Sequence, residues 1–522
     1  MEYADVTAID KLENFTDRLC AVFRGTHCIA WSLPLIIIWR LFASSSADPD
    51  LFARVAMGHL TLSRSSVPLV DPFAFTETLP RWIDHEWLSG VAFYVTAVTC
   101  GDTGLIFLKL LLATLATVCV VNASALYHVV MPSRLVWVSV CLLHAASAWT
   151  STVRCQAFTY LFIPALYWAI IEYRRSQNAL PLSLTPLLAV AWVNMHGGYA
   201  LGCVIIGLFV ANEIYQRRFS WTVTSVALGW ALAPTLTPYG FVVFVTFLFH
   251  ALGMERPGIE EWLPLHRDIE SLTATAILCT PLVAGILLYR GRHDLFGLSL
   301  LAFSAYCAFR HIRFLPFFMV TAAIFGAPYI HGAHEKLTER WRGLSWRLSR
   351  SGALALSICM ALGSAQLIGF ALNPASYRLR YDGYPVNAVE WLRRGGYHGR
   401  LLVDFNNGSF ALWRLYPNFK VSVDGRYEET YPERTVRDNA LALSPDQPGW
   451  EEALNRLNPT HILLSGRPNI EELAKRFGAQ WHLLYKDQTS AILARESFTE
   501  GAPVEPERSP AAPPSEMWVA RF

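Results

Sequence analysis

The chain has 522 residues, of which 53% are hydrophobic and 16% charged, with a formal net charge of +2. Soluble chains carry about 25% charged residues, so this composition excludes an ordinary soluble globular protein. So small a net charge, with basic residues clustered in short loops rather than on one face, does not suggest a nucleic-acid partner. What remains is a polytopic α-helical membrane protein.

In chain order, residues 1–27 form a charged stretch ahead of the first apolar run, which lacks a small-residue cleavage site and therefore reads as a retained first helix. A crossing needs about 20 mostly apolar residues. Runs centred at 29–43, 104–124, 135–151, 156–172, 180–195, 197–214, 220–236, 272–288, 294–308, 314–330 and 353–371 predict eleven crossings within a transmembrane domain spanning 28–372. Two shorter runs, 88–100 and 240–252, read as helices lying in the interface. The positive-inside rule tests this assignment. With the N-terminus cytoplasmic, the inner loops carry Arg134, the pairs Arg174–Arg175 and Arg217–Arg218, Arg290 and Arg292, and then Lys336 to Arg350. Counting 88–100 as a crossing would turn the Arg174–Arg175 and Arg217–Arg218 loops outward. The ten cysteines lie between Cys20 and Cys359 and show neither a disulfide framework nor metal-type spacing.

That orientation places the polar motifs on the outer side. They are the first outer loop, 44–103, with Asp48, Asp50, Asp71, Asp84, His85 and Glu86; STVRCQ with Arg154 and Gln156; WVNMHGGY with Asn194 and His196; Glu260 and Glu261; and FRHIRF with Arg310, His311 and Arg313. Charges at membrane-helix ends are costly unless paired, hydrated or functional. A single arginine there reads as a snorkelling anchor, whereas the set reads as a site. Helix capping alone accounts for Asp84 and Glu86, and substrate contact is the other reading. His196-Gly197-Gly198 reads either as a polar turn where backbone approaches a ligand closely or as a helix–helix turn with a buried, satisfied histidine.

Residues 376–497 change character. Short apolar strands in GRLLVDFNNG, FKVSVDGRYEE and PTHILLSGR alternate with helical patterns at 386–394, 409–416, 449–457 and 469–477, and WHLLYKDQTSAILAR reads as a hairpin. This predicts a small extracytoplasmic α/β domain with a mostly parallel sheet. Asn406, Asn407, Asp424 and Arg426 would lie at the carboxyl ends of strands, where ligands bind. The preferred reading of Asp424-Gly425-Arg426 is a tight turn locked by a local ion pair. Residues 498–522, rich in Pro and Glu, read as a disordered tail.

The ordered motifs DPDLFARVAMGHL, VPLVDPFAFT, WIDHEWLSG, RCQAFT, WVNMHGG and VDGRYE, from about Trp31 to Arg495, resemble a bacterial group of GT-C-like membrane glycosyltransferases. More distantly they are similar to protein O-mannosyltransferases, oligosaccharyltransferase catalytic subunits and aminoarabinose transferases. The chain departs from the pattern D-P-D-L-W-W-H-L, having Phe52, Ala53 and Arg54 in place of the aromatic pair and histidine, and from R-P-Q, having Cys155. His59 lies nearby. The resemblance implies a GT-C-like fold and a glycosyltransferase of the bacterial inner membrane, using a polyprenyl-phosphate-linked sugar and a lipid, glycan or protein acceptor. Transfer needs a base for the acceptor and cations for the departing phosphate. Asp48 or Asp50 is the candidate base, and Arg154, Arg310 and Arg313 are the phosphate ligands. Asp84, His85, Glu86, Gln156, Asn194, His196 and Glu261 are further substrate contacts. A divalent cation, Mg or Mn, would be held by Asp50 and Glu86. The alternatives are a non-catalytic scaffold or a transporter for envelope polysaccharide assembly, though no internal repeat supports the latter.

Overall fold

The computed structural model describes residues 45–127, 131–147, 153–253, 259–340, 373–466, 469–498 and 517–518, with 365, 368–369 and 372. The expected crossing at 29–43 and almost all of that at 353–371 lie outside these residues. Helix α1 (Pro49–Arg64) starts where the Asp48 side chain accepts from Asp50 N, with Pro49 in the first turn, and it ends at Ser65 in the left-handed region. Most of its residues are buried. It packs against α2 (Trp87–Ala125) at Gly58 and Gly90, where a Cβ on Gly58 would lie 2.1 Å from the Gly90 carbonyl.

Helix α2 absorbs the segment 88–100, expected as a separate interfacial helix. Its 39 residues are broken at Gly101 (φ 62, ψ −153), a conformation reserved for glycine, so two helical runs share one element. Just beyond the break, the buried Asp102 carboxylate accepts from Leu379 N (3.0 Å), Tyr381 OH (2.8 Å) and Trp518 Nε1 (2.7 Å). Next come α3 (Met131–Ser147), α4 (Gln156–Ser176), α5 (Ala179–Ser183), α6 (Thr185–Met195), α7 (Tyr199–Tyr215), α8 (Trp221–Leu232) and α9 (Phe241–Gly253). They are followed by α10 (Ile269–Leu288), α11 (Leu295–Arg310), α12 (Leu315–Phe325) and α13 (Ala327–Arg340).

Among the described residues, two helices are long and apolar enough to cross a membrane, α2 and α10, or up to four if each bent pair is one span. The pairs are Trp221–Leu236 with Phe241–Ala251, bent by 95°, and Ile312–Phe325 with Ala327–Lys336, bent by 52°. Four further apolar helices are only 10–17 residues long, so the described helices do not carry the expected count of eleven. The expected crossing at 180–195 is divided at Leu184 between α5 and α6, and that at 314–330 at Gly326 between α12 and α13.

The C-terminal part comprises α14 (Val386–Arg394), β1 (Gly399–Leu402), α15 (Phe405–Leu415), β2 (Phe419–Val421), α16 (Tyr427–Thr430), α17 (Glu433–Ala442), α18 (Trp450–Leu457), β3 (His461–Ser465), α19 (Ile470–Arg476), β4 (Trp481–Lys486) and β5 (Ser490–Arg495). The sheet order is β2-β1-β3-β5-β4. β1 pairs in parallel with β2 and β3, while the β4–β5 hairpin adds two antiparallel pairings, so the sheet is mixed and not mostly parallel. The exposed edge of β2 is covered by the first loop, through Val421 N to Phe73 O (3.0 Å) and Phe75 N to Val421 O (3.1 Å). Leu402, Ile462, Leu464 and Leu493 pack against Leu454 and Phe477 on one face. Helix α15 packs on α1, where Phe52 meets Phe410 edge-on at 5.1 Å and stacks on Trp518 at 5.7 Å. Met517 and Trp518, in the stretch expected as a disordered tail, are buried.

Gly101 has no neighbour within 4 Å of a Cβ position, so Gly101→Ala isolates the backbone cost of its positive φ. It is expected to destabilise by about 1–3 kcal/mol, measured by thermal unfolding in detergent. Gly207→Ala, in the open helical face of α7, should cause no loss.

Candidate active site

The centre of the polar region is the Arg54 guanidinium, on the buried face of α1. Arg54 Nη1 contacts Asp84 Oδ1 at 2.7 Å and Glu429 Oε2 at 3.0 Å; Nη2 contacts Glu429 Oε1 at 3.0 Å and Glu86 Oε2 at 2.8 Å. The three carboxylates come from the turn before α2 and from α16. Burial opposes the charge on Arg54, but Glu429, Glu86 and Asp84 outweigh it and hold the guanidinium above its ordinary range. Burial likewise opposes ionisation of Glu429, and Arg54 with His85 overcomes it, drawing Glu429 down to about 2. His85 Nδ1 lies 2.7 Å from Glu429 Oε1, and despite burial Glu429 and Glu86 lift this imidazole to about 9. Asp84 is different: burial dominates and pushes it up to about 6, and its Oδ2 has no hydrogen-bond partner. The Asp84 backbone is pinned by Tyr239, which receives from Asp84 N (2.9 Å) and donates to Asp84 O (3.1 Å).

A second cation lies nearby. Arg154, just before α4, reaches Asp48 Oδ2 at 2.7 Å, Asp50 Oδ2 at 3.4 Å and Glu261 Oε2 at 2.9 Å. Glu261 also faces Arg313 Nη1 at 3.6 Å, and the Arg313 guanidinium lies 4.2 Å above the Trp262 ring. Asp48 is buried as the cap of α1. Asp50, two residues along, has 38% of its side chain exposed to the cleft. Burial and the neighbouring Asp48 raise Asp50 to about 7, against the pull of Arg154 and Arg54.

His196 closes the far side. Its Nδ1 accepts from Gly198 N (2.9 Å) beside the Thr159 hydroxyl (2.8 Å), which leaves the proton of the neutral ring on Nε2, 3.5 Å from Glu86 Oε1. Burial lowers this imidazole to about 4 despite Glu86.

These groups line a cavity of ≈ 750 Å³. One wall carries Asp50, Arg54, His85 and Glu86; another Arg154, Gln156, Glu261 and Arg313; and Phe247, Leu248, Ala251 and Phe317 are apolar. The C-terminal domain contributes Asn406, Gly425, Arg426, Tyr427 and Glu429. Gly425 abuts Asp50, since a Cβ there would lie 2.3 Å from Asp50 Oδ1.

Of the residues that the sequence marks as candidates, Asp50, His85, Glu86, Arg154, Gln156, His196, Glu261, Arg313, Asn406 and Arg426 are therefore on the cavity wall. Asp48 and Asp84 stand behind it, paired with Arg154 and Arg54. Asn194 accepts from Trp87 Nε1 (2.8 Å) and joins α6 to α2. Arg310 is exposed at the end of α11 and is not brought into the group. Asp424 is buried against Arg426, as a local ion pair predicts, with Nε to Oδ1 at 2.7 Å and Nη2 to Oδ2 at 2.6 Å. The pair is more than a turn lock, however. Arg426 Nη1 also reaches Asp71 Oδ1 of the first loop at 2.5 Å, and the guanidinium lies 4.5 Å from the Trp82 ring.

Sequence reasoning misses Arg54 and Glu429 as site residues. Arg54 stands out there only as a departure from a motif, and Glu429 follows VDGRYE without any spacing that marks a ligand. As for a cation, His85, Glu86 and Glu429 offer ligand atoms within 4.8 Å of one another, a donor set suited to a divalent metal. Asp50 is not in that group.

No protein-family model matches the sequence, and no curated protein does. Among solved structures, the chain is similar to the archaeal oligosaccharyltransferase AglB from Archaeoglobus fulgidus in complex with an inhibitory peptide and a dolichol-phosphate. The TM-score is 0.41 and the identity 10%, over 86% of this chain and 70% of that one. Archaeoglobus fulgidus oligosaccharyltransferase in the apo form gives 0.41 and 11%, over 83% and 69%. Its complex with Zn and sulfate gives 0.41 and 11%, over 89% and 73%.

Arg426 neutralises two carboxylates whose side chains are fully buried. Arg426→Met keeps the bulk but strands both, and should cost about 3–5 kcal/mol in thermal unfolding. Adding Asp71→Asn and Asp424→Asn to the same variant should recover much of that loss.

Proposed function

We propose that the chain is a membrane glycosyltransferase of GT-C type, taking a sugar from a polyprenyl-phosphate donor to a lipid, glycan or protein acceptor at the extracytoplasmic face of the bacterial inner membrane. The observation that carries this reading is the composition of the cavity walls. An accessible carboxylate raised to about 7, in contact with Arg154, shares the cavity with Arg313 and with the apolar side chains of α9. A sugar phosphate with a prenyl tail needs these three surfaces together.

In this mechanism Asp50 accepts the proton of the acceptor hydroxyl or amide as that atom bonds to the anomeric carbon. The bond from the anomeric carbon to the phosphate oxygen breaks on the opposite face, which inverts the configuration. Arg313 receives the phosphate: it is held loosely by Glu261 at 3.6 Å and carried on the Trp262 face, so its remaining N–H groups are available. Arg154 is bound by three carboxylates and serves to orient Asp50. Helix α9, the second arm of the pair bent by 95°, supplies Phe247, Leu248 and Ala251 along the path of the prenyl chain. His85 and Glu86 face the sugar, with Glu86 fixed by Arg54 and His196. Asp48 is assigned a capping role and not that of the base.

The test is transfer by the purified chain from a panel of polyprenyl-phosphate sugars, with product detected by mass spectrometry. Asp50→Asn should lower the rate about 10²–10⁴-fold with unchanged expression and unfolding temperature. Gly425→Ala, which displaces Asp50, should also lower it. Because only the ionised carboxylate accepts a proton, the wild-type rate should rise with pH through about 7 and then level off. Asp48, Arg154, Arg54 and Glu86 are the charged groups that set this midpoint. Full activity of Asp50→Asn would remove the assignment.

A further inference from the structure

The donor set His85, Glu86 and Glu429 has the composition of a divalent-metal site, yet three of its four carboxylate oxygens already contact a guanidinium. Both Glu429 oxygens are taken by the fork of Arg54 at 3.0 Å each, and Glu86 Oε2 lies 2.8 Å from the same Nη2. The guanidinium comes from a helix that buries most of its other side chains, and its own side chain is 7% exposed. A metal bound to those oxygens at about 2.0–2.2 Å would have to sit against Nη2, a like charge held there by Asp84, Glu86 and Glu429. The planar fork matches carboxylates at two points at once, which a point charge does not. His196 cannot complete an alternative ligand set, because its Nδ1 accepts from Gly198 N and its Nε2 therefore carries the proton.

We infer that Arg54 is the resident cation of this site, occupying the place among Glu86, Glu429 and Asp84 that a divalent metal would take, so that the protein works without one. The inference extends the transferase reading and depends on it only for its catalytic consequence. In that reaction Arg54 is a positioning residue: it fixes Glu86 and Glu429 on the cavity wall and balances their charge.

The experiment uses the full chain purified in detergent, with metal content measured by mass spectrometry and unfolding followed with EDTA, Mg²⁺, Mn²⁺ or Zn²⁺. The wild type should contain substoichiometric metal and unfold at the same temperature in every condition. Arg54→His removes the fork and turns an imidazole towards three carboxylates, so it should unfold at a lower temperature and regain stability on adding Mn²⁺ or Zn²⁺. Arg54→Lys, which keeps the charge without the fork, should lose stability and show no metal response. Stoichiometric metal in the wild type, or a fall in its unfolding temperature with EDTA, overturns the inference. So does an Arg54→His variant that folds and ignores metal. Should Arg54→His fail to fold, the wild-type metal content and its EDTA response still decide the matter. None of these readouts uses a substrate, so absence of transfer with every donor would count against the transferase reading alone.

Discussion

Neutralising buried carboxylates is the constraint on which this structure turns. Asp84, Glu86 and Glu429 are brought together from the start of a long helix and from the C-terminal domain, and alone they would repel one another. One guanidinium on α1 offsets them, and in doing so fixes three chain segments at one point. Arg426 repeats the device a short distance away, with Asp71 and Asp424 and an aromatic box of Phe73 and Trp82. Removing either partner from such a buried pair is costly, while the pair itself contributes little net stability. Their effect is on placement: the cavity has a C-terminal wall because these arginines hold it there.

What depends on local chemistry is legible in the sequence. The β4–β5 hairpin and the helices α14, α15, α18 and α19 follow from alternation, periodicity and turn residues within a few positions of one another, whereas α1, α16 and α17 are not anticipated. The break at Gly101 is harder to see, because a glycine between two apolar runs reads equally well as a loop, and only its left-handed φ within a continued helix distinguishes them. The mixed sheet departs from the expected parallel one because parallel and antiparallel neighbours can have the same apolar strand pattern.

Long-range pairing is the least legible part. Arg54 and Glu429 are 375 residues apart, and neither has a local pattern marking it as a partner for the other. Arg54 is conspicuous only where a motif fails. An arginine flanked by Phe52, Ala53, Val55 and Ala56 is itself a signal, since burying it requires acids from elsewhere in the chain, and the acidic turn with Asp84 and Glu86 is one source of them. Arg310 and Arg313 show the reverse difficulty: three residues apart, they read alike, yet a change from helix to a short turn at His311 sends one outward and the other into the cavity.

Asp102 extends these constraints along α2. It accepts from the segment entering the C-terminal part, at Leu379 and Tyr381, and from Trp518, while the segment before the break is fastened to α1 at Gly90 and to Arg54 through Glu86. A glycine break in a free helix would be a hinge. Here both arms are fastened to neighbouring segments, so the joint is a braced corner and not a pivot, and the spacing of the cavity carboxylates is set by the same fastenings that hold α2.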